Sequence, residues 1–253
     1  MKLALLKLKN GLKLVLPKGA RSFLRAKYSS FRIKSSFLRH KSEHLILRRN
    51  FLFNKQKFAY FISEFNTTFN NERAVEIPIV METMAHFRDK NILEIGNVTS
   101  HYFKPMHDIV DKYEKGPGVI NCDIIDFKPV KNYDLIISIS TFEHIGFDES
   151  IRYGEEEDNS VRREALISAI ENTRKLLNKN GLFIFTVPLG FNSFLDSKLK
   201  NNGLNLDESY YLKRLSKKNE WEQVPYESAI QAKYGTPYNC ANGLLIGIIK
   251  KGN

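Results

Sequence analysis

Two cysteines, Cys122 and Cys240, are all the thiol in 253 residues. That is too few for a disulfide framework, and their spacing is not that of a zinc site, so the chain reads as one for a reducing, cytoplasmic compartment. Long apolar runs are missing too. Leu3–Leu6 is broken by Lys7 and Lys9, short of the roughly 7–15 apolar residues of a secretory signal. No stretch approaches the ~20 apolar residues that a membrane-spanning helix needs. Acids are nearly absent from one end. Residues 1–50 hold 14 Lys and Arg against one acid, Glu43 (14 − 1 = +13), whereas residues 51–253 hold 25 against 27 (25 − 27 = −2). The net charge of +11 therefore belongs to the first fifth of the chain.

What is present divides at about residue 55. Residues 1–55 read as a basic extension. Leu12, Leu14 and Leu16 alternate with Lys13 and Val15, which suits a short strand or an interfacial segment, and Pro17-Lys18-Gly19 marks a turn. From Arg21 to Arg49, aromatic and aliphatic residues such as Tyr28, Phe31 and Leu38 interleave with Arg and Lys. Such a surface suits peripheral contact with an anionic membrane at its inner face, each basic residue contributing about 1 kcal/mol. A plain arm with no such partner is the leading alternative, and a phosphate backbone is the least favoured partner.

Residues 56–253 read as the folded domain, entered through a lid-like segment, 56–90. There Val75, Ile77, Ile79, Val80, Met84 and Phe87 supply the apolar positions of a helix, with Pro78 in or near its first turn. Arg73 and Glu76 share a face of that helix. They form an ion pair or grip a ligand from above the strand ends, and Tyr102 is a further candidate for the substrate side.

The centre of the chain is Asn91–Tyr102, NILEIGNVTSHY. An apolar strand closes on Gly96, and polar residues follow at once; an open α/β sheet places its ligand beyond such strand ends. A second short strand, His107–Asp111, ends on an acid 17 residues after Glu94. An acid there can accept from both ribose hydroxyls of a nucleoside, because a carboxylate has two acceptor oxygens. Val119–Cys122 reads as a third strand and Tyr133–Ser140 as a fourth, its β-branched run suiting burial on both faces. Thr141-Phe142-Glu143-His144 follows directly. The acidic run Glu155–Asp158 reads as a solvated loop rather than a metal cluster. Val161–Lys179 is an amphipathic helix stopped by Asn180-Gly181, then come a strand at Leu182–Pro188, a polar region Phe191–Trp221 with short helices, and a last strand at Gly243–Ile249. Strands alternating with crossover segments predict a doubly wound, mostly parallel α/β sheet.

These residues resemble the class I S-adenosylmethionine-dependent methyltransferases from about Asn91 to the C-terminus. The carriers are LEIGN (93–97), Asp111, CDIID (122–126), YDLIISISTFEHIG (133–146) and LLNKNGLFIFTVP (176–188). The resemblance implies a Rossmann-like, seven-stranded sheet whose last strand runs antiparallel, and S-adenosylmethionine as cofactor. It places Glu94 and Gly96 at the methionine end, Asp111 at the ribose, Asp123 and Ile124 beside the adenine, and Ser140 near the sulfonium. Glu143 and His144 face the site, with His144 the candidate general base. The family's first motif, E-x-G-x-G-x-G, keeps only its first glycine here. Val98 and Ser100 stand at the later two places, so the turn either runs differently or binds its cofactor less tightly, and Asn97 and Ser100 are the residues placed to substitute. The implied activity is methylation of a small-molecule or glycan acceptor, on an oxygen of a sugar or a lipid-linked molecule. The alternative is a catalytically silent relative that binds RNA or a partner protein through its basic arm.

Overall fold

The computed structural model describes residues 18–47, 49–154 and 159–252. The readings made for residues 1–17 and for the acidic run 155–158 lie outside the described residues. The chain forms two compact units, Met1–Arg48 and Arg49–Asn253.

The first unit contributes one helix, α1 (Lys18–Leu47). Lys18 and Gly19 belong to its first turn rather than to a free turn. Tyr28, Phe31 and Leu38 stand exposed along it, with the Arg32 guanidinium over the Tyr28 ring and the Lys41 ammonium over that of Phe37. Among the described residues no helix is long and apolar enough to cross a membrane.

The second unit opens with a hairpin, β1 (Asn50–Phe53) and β2 (Gln56–Ala59), which spans the boundary expected at residue 55. Its turn residues, Asn54 and Lys55, both have positive φ, the conformation that matches the twist of a two-residue hairpin. The helix α2 (Arg73–His86) follows, and Pro78 lies well inside it. A proline there cannot bond the carbonyl of Ala74 four residues back. That carbonyl instead accepts from the N–H of Phe61 at 2.9 Å, so the broken helix bond is replaced by a tertiary one.

The main sheet comprises β3 (Ile92–Ile95), β4 (Asp108–Asp111), β5 (Val119–Asn121), β6 (Tyr133–Ile139), β7 (Leu177–Pro188), β8 (Glu208–Arg214), β9 (Trp221–Val224) and β10 (Gly243–Lys250), in the order β5-β4-β3-β6-β7-β10-β8-β9. The first five of these strands in chain order pair in parallel. The last, β10, is inserted antiparallel between β7 and β8. The sheet is the doubly wound α/β architecture expected, with eight strands in place of seven. The extra strand, β9, and its neighbour β8 lie in the region read as polar with short helices. The sequence ESYYLKR of β8 carries charges at both ends, and its residues are mostly half-exposed, so it lacks the apolar run that marks the inner strands. One helix was correctly expected in that region, α5 (Ser193–Lys200), after α3 (Glu149–Tyr153) and α4 (Asn159–Leu176). α4 ends before the Lys179 expected, because Leu177 already enters β7 and pairs with Tyr133.

Both faces of the sheet are covered, which is why its inner strands are apolar at successive positions. Leu135, Ile137 and Ile139 of β6 pack with Val75, Ile79 and Val80 of α2. Ile136 packs on the opposite face with Leu166, Ala169 and Ile170 of α4. Each such buried Val, Leu or Ile side chain stabilises the fold by about 1.5–3 kcal/mol.

Candidate active site

Strand order reverses between β3 and β6: the chain runs outward from β3 through β4 to β5, then returns to β6 on the other side. A cavity of about 230 Å³ opens at the carboxyl ends of β3, β4 and β6, the place where a doubly wound sheet binds its ligand. Of the sequence-predicted site residues, Gly96, Asn97, Asp111, Asp123, Ile124, Ser140, His144 and Arg73 line it.

The turn after β3 is built around Gly96, whose φ is +85°. A Cβ there would lie 2.2 Å from Thr141 Oγ1, so glycine is required twice, by conformation and by space. The later two glycine positions take another course. Val98 has φ −106° and begins a short 3₁₀ turn, Thr99–His101, a conformation a β-branched residue adopts freely. Asn97 and Ser100 then hold the turn by side chains. The Asn97 N–H donates to Asp111 Oδ2 (2.9 Å), its Nδ2 donates to Glu114 Oε1 (2.7 Å), and Ser100 Oγ donates to Asn97 Oδ1.

Glu94 differs from its expected role. It is fully buried and does not line the cavity. Its Oε1 accepts from the N–H groups of Val98 (3.0 Å) and Thr99 (2.8 Å), while Oε2 meets Thr99 Oγ1 and, at 2.9 Å, His107 Nε2. Glu94 therefore caps the 3₁₀ turn from beneath and positions it.

Asp111 is a tie between two loops. Beyond Asn97, it accepts from the N–H groups of Tyr113 (2.8 Å) and Glu114 (2.7 Å) on Oδ1. A carboxylate has about four acceptor positions, so one on Oδ2 is left for a ligand. Glu114, which the sequence reading did not single out, stands beside it on the cavity rim and also lies 3.1 Å from His101 Nε2. Asp123 reaches Lys112 Nζ at 3.2 Å. Tyr113 donates to Glu149 Oε1 (2.9 Å) and stacks on Tyr153 with centroids 3.6 Å apart. Lys112, Tyr113 and Glu114 were legible only as the continuation of the acid-ended strand. Glu149 and Tyr153 carry no local signal.

On the β6 side, Ser140 has φ +40°, a strained conformation for a residue with a side chain. Its Oγ donates to Glu76 Oε1 (2.5 Å), which also accepts from Thr186 Oγ1 (2.7 Å), and Arg73 Nη1 lies 2.5 Å from Glu76 Oε2. Arg73 and Glu76 thus form an ion pair, with Arg73 alone reaching the cavity wall. Burial pulls the Arg73 pKa down, but the carboxylates of Glu76 and Glu72 more than reverse this and keep it charged.

His144 Nδ1 is 2.9 Å from Asp148 Oδ1, which fixes the proton on Nδ1 and leaves Nε2 as the basic nitrogen. Burial lowers the His144 pKa, against the opposing pull of Asp148, so the ring is a neutral acceptor at neutral pH. Glu143 lies behind His144 rather than on the cavity wall, 3.6 Å from Nε2. Burial raises its pKa well above the ordinary carboxylate range. Tyr102 is drawn away into an aromatic cluster with Phe61 and Phe65 and does not line the cavity.

No protein-family model matches the chain, and no curated protein matches it. Solved structures do. N-methyltransferase NodS from Bradyrhizobium japonicum WM9, in complex with S-adenosyl-L-homocysteine, is 14% identical with a TM-score of 0.35, over 70% of this chain and 89% of that one. TehB from Haemophilus influenzae is 14% identical with a TM-score of 0.44, over 74% and 66%. The 1,6-didemethyltoxoflavin-N1-methyltransferase from Burkholderia thailandensis, with bound S-adenosylhomocysteine, is 13% identical with a TM-score of 0.38, over 72% and 80%. At these values the likeness is one of chain path.

Proposed function

We propose that the protein is an S-adenosylmethionine-dependent methyltransferase acting on a small-molecule acceptor. The observation that carries this reading is the rim formed by Gly96, Asn97, Asp111 and Glu114 at the strand reversal. A glycine with no room for a Cβ lets the backbone approach a ligand. Two carboxylates then face the rim where ribose hydroxyls need acceptors, and Ile124, Val110 and Ile95 give an apolar bed for a base. This donor set fits a nucleoside with no phosphate: acids line the cavity, and the free N–H groups of the turn are already bonded inward to Glu94 and Asp111.

When bound, S-adenosylmethionine would supply an electrophilic methyl group on a positively charged sulfur that leaves as a neutral thioether. The chain's own residues position and deprotonate. Asp111 and Glu114 would hold the ribose, Asp123 and Ile124 would flank the base, and Ser140 would close the floor. His144 Nε2 takes the proton from the acceptor, and Asp148 keeps the ring in the tautomer that can do so. The acceptor carries a hydroxyl, on a sugar or lipid-linked molecule, which needs that base to become nucleophilic. The basic helix α1, with its exposed aromatic residues, suits peripheral contact with an anionic membrane and so a substrate found there.

The test is transfer of labelled methyl groups from S-adenosylmethionine to the separated small-molecule, envelope and RNA fractions of a cell extract. Label in the first or second is expected. Label in none of them, or in RNA alone, contradicts the reading.

A further inference from the structure

The two walls of the cavity differ in how their charges are matched. On the β4 side the acids have their donors. Asp111 holds three backbone N–H groups, Asp123 faces Lys112 Nζ at 3.2 Å, and Glu114 faces His101 Nε2 at 3.1 Å. On the β6 side two guanidinium groups, those of Arg73 and Arg152, reach the cavity together with His144. Arg73 is answered: its Nη1 meets Glu76, and the carboxyls of Glu72 and Glu143 act on it as well. Arg152 is not answered. Among the described residues it forms no ion pair and no side-chain hydrogen bond, and its guanidinium lies over the Tyr153 ring, 5.7 Å from the centroid.

Arg152 is nonetheless held in place. Glu149, one turn back on α3, accepts from the Tyr113 hydroxyl (2.9 Å) and the Gly146 N–H (2.9 Å) and lies 3.4 Å from Lys112 Nζ. Tyr153 stacks on Tyr113. These contacts pin α3 against the cavity wall. The Arg152 charge also reaches the base: it lowers the His144 pKa, and does so more strongly than Arg73.

A charged group on an open cavity wall keeps its water. A ligand that fills the cavity removes that water, and the charge is then costly unless the ligand brings a counter-charge. A guanidinium fork matches a carboxylate or a phosphate, which accept two parallel N–H bonds. A neutral hydroxyl compound would leave Arg152 desolvated and unmatched.

We infer that the acceptor is an anionic hydroxyl compound, its carboxylate or phosphate taken by Arg152 while its hydroxyl faces His144 Nε2. This rests on the methyltransferase reading above and narrows its acceptors to those that bear an oxyanion. The two roles are separate: Arg152 fixes the charged end of the molecule, and His144 takes the hydroxyl proton. The methyl donor has a carboxylate of its own, so Arg152 is tested with the donor's product already bound.

The full chain, saturated with S-adenosylhomocysteine in about 0.15 M salt, is titrated calorimetrically at neutral pH with glucuronate, glucose 6-phosphate and glucose, which share a ring and differ in charge. At least one of the two anionic sugars is expected to bind at least about tenfold more tightly than glucose, or about 1.4 kcal/mol, and the tighter of the two shows which oxyanion the site takes. Arg152→Gln is expected to abolish that preference while affinity for S-adenosylhomocysteine stays within about twofold. Equal binding of the three sugars, or binding of none, by the wild-type protein overturns the inference and needs no variant. So does a preference that survives Arg152→Gln. A larger fall in S-adenosylhomocysteine affinity in that variant overturns it too, because Arg152 then serves the methyl donor's carboxylate. Failure of the wild-type protein to bind S-adenosylhomocysteine at all is a separate result, visible before any sugar is added, and removes the methyltransferase reading itself.

Discussion

On the β3–β5 side of the cavity the carboxylates are supplied with donors: Glu94 has four contacts, from Val98, two from Thr99 and one from His107, and Asp111 has three backbone N–H groups. On the β6 side, Glu143 is nearly as buried as Glu94, and among the described residues one of its oxygens has no donor. The first arrangement is rigid before any ligand arrives, so little ordering remains to oppose binding there. In the second, burial holds the carboxyl in its neutral form. The contrast is one between a rim whose carboxylates are held by backbone donors and a carboxyl kept neutral by burial behind the cavity wall.

The largest effect is expected where the cradle is tightest. Gly96→Ala places a methyl against Thr141 and forces a positive φ on alanine. The sum of backbone strain and overpacking is about 2–5 kcal/mol, read as a lower denaturation midpoint, and cofactor binding is lost with it. Unchanged stability would show that the turn is free to relax. Next is Asp111→Ala, which releases the tie between the turn and the Tyr113–Glu114 loop. Affinity for S-adenosylmethionine should weaken by ~1–3 kcal/mol, and full retention would remove Asp111 from the cradle.

Smaller changes probe the other half. Asp148→Asn should slow turnover by about tenfold or more, since the base loses its fixed tautomer. Asp148 raises the His144 pKa, so removing its charge lowers that pKa further, and the acid limb of the pH–rate profile moves to lower pH. A limb that stays in place would mean another group is the base. The smallest effect is on stability. Burial raises the folded-state pKa of Glu143 above its unfolded value, so its contribution is full below the unfolded pKa and is lost as pH rises through the folded one. Glu143→Gln should therefore flatten the fall of stability toward alkaline pH. Parallel curves for variant and wild type would show that Glu143 does not titrate with unfolding.

Much of this organisation was legible in the sequence. The inner strands announce themselves because both of their faces are covered, as in LIISI of β6. Gly96 and Asp111 stand at the cavity because a strand's end fixes where its next residue stands, and Asp123, Ile124, Ser140 and His144, singled out by family resemblance, line it too. What was hidden depends on partners distant in sequence. Glu94 reads as a site acid until the Thr99 turn folds over it. Glu76 reads equally as an ion-pair partner and as a gripping residue until Ser140 and Thr186 arrive to hold it. Tyr102 is claimed by Phe61 and Phe65. Glu149 and Tyr153 approach the cavity through α3, a helix too short to carry a periodic signal. Strand β8 sits half-exposed with mixed polarity, and its pairing with β10 and β9 defines it.

The central claim is that the rim of Gly96, Asn97, Asp111 and Glu114 holds a nucleoside-bearing methyl donor despite the missing glycines. Isothermal titration of the intact protein with S-adenosylmethionine tests it directly. Saturable one-to-one binding in the micromolar range, about −8 kcal/mol at 1 μM, is the expected result. No saturable heat with the cofactor at about 1 mM, where even −4 kcal/mol of binding would register, would contradict it.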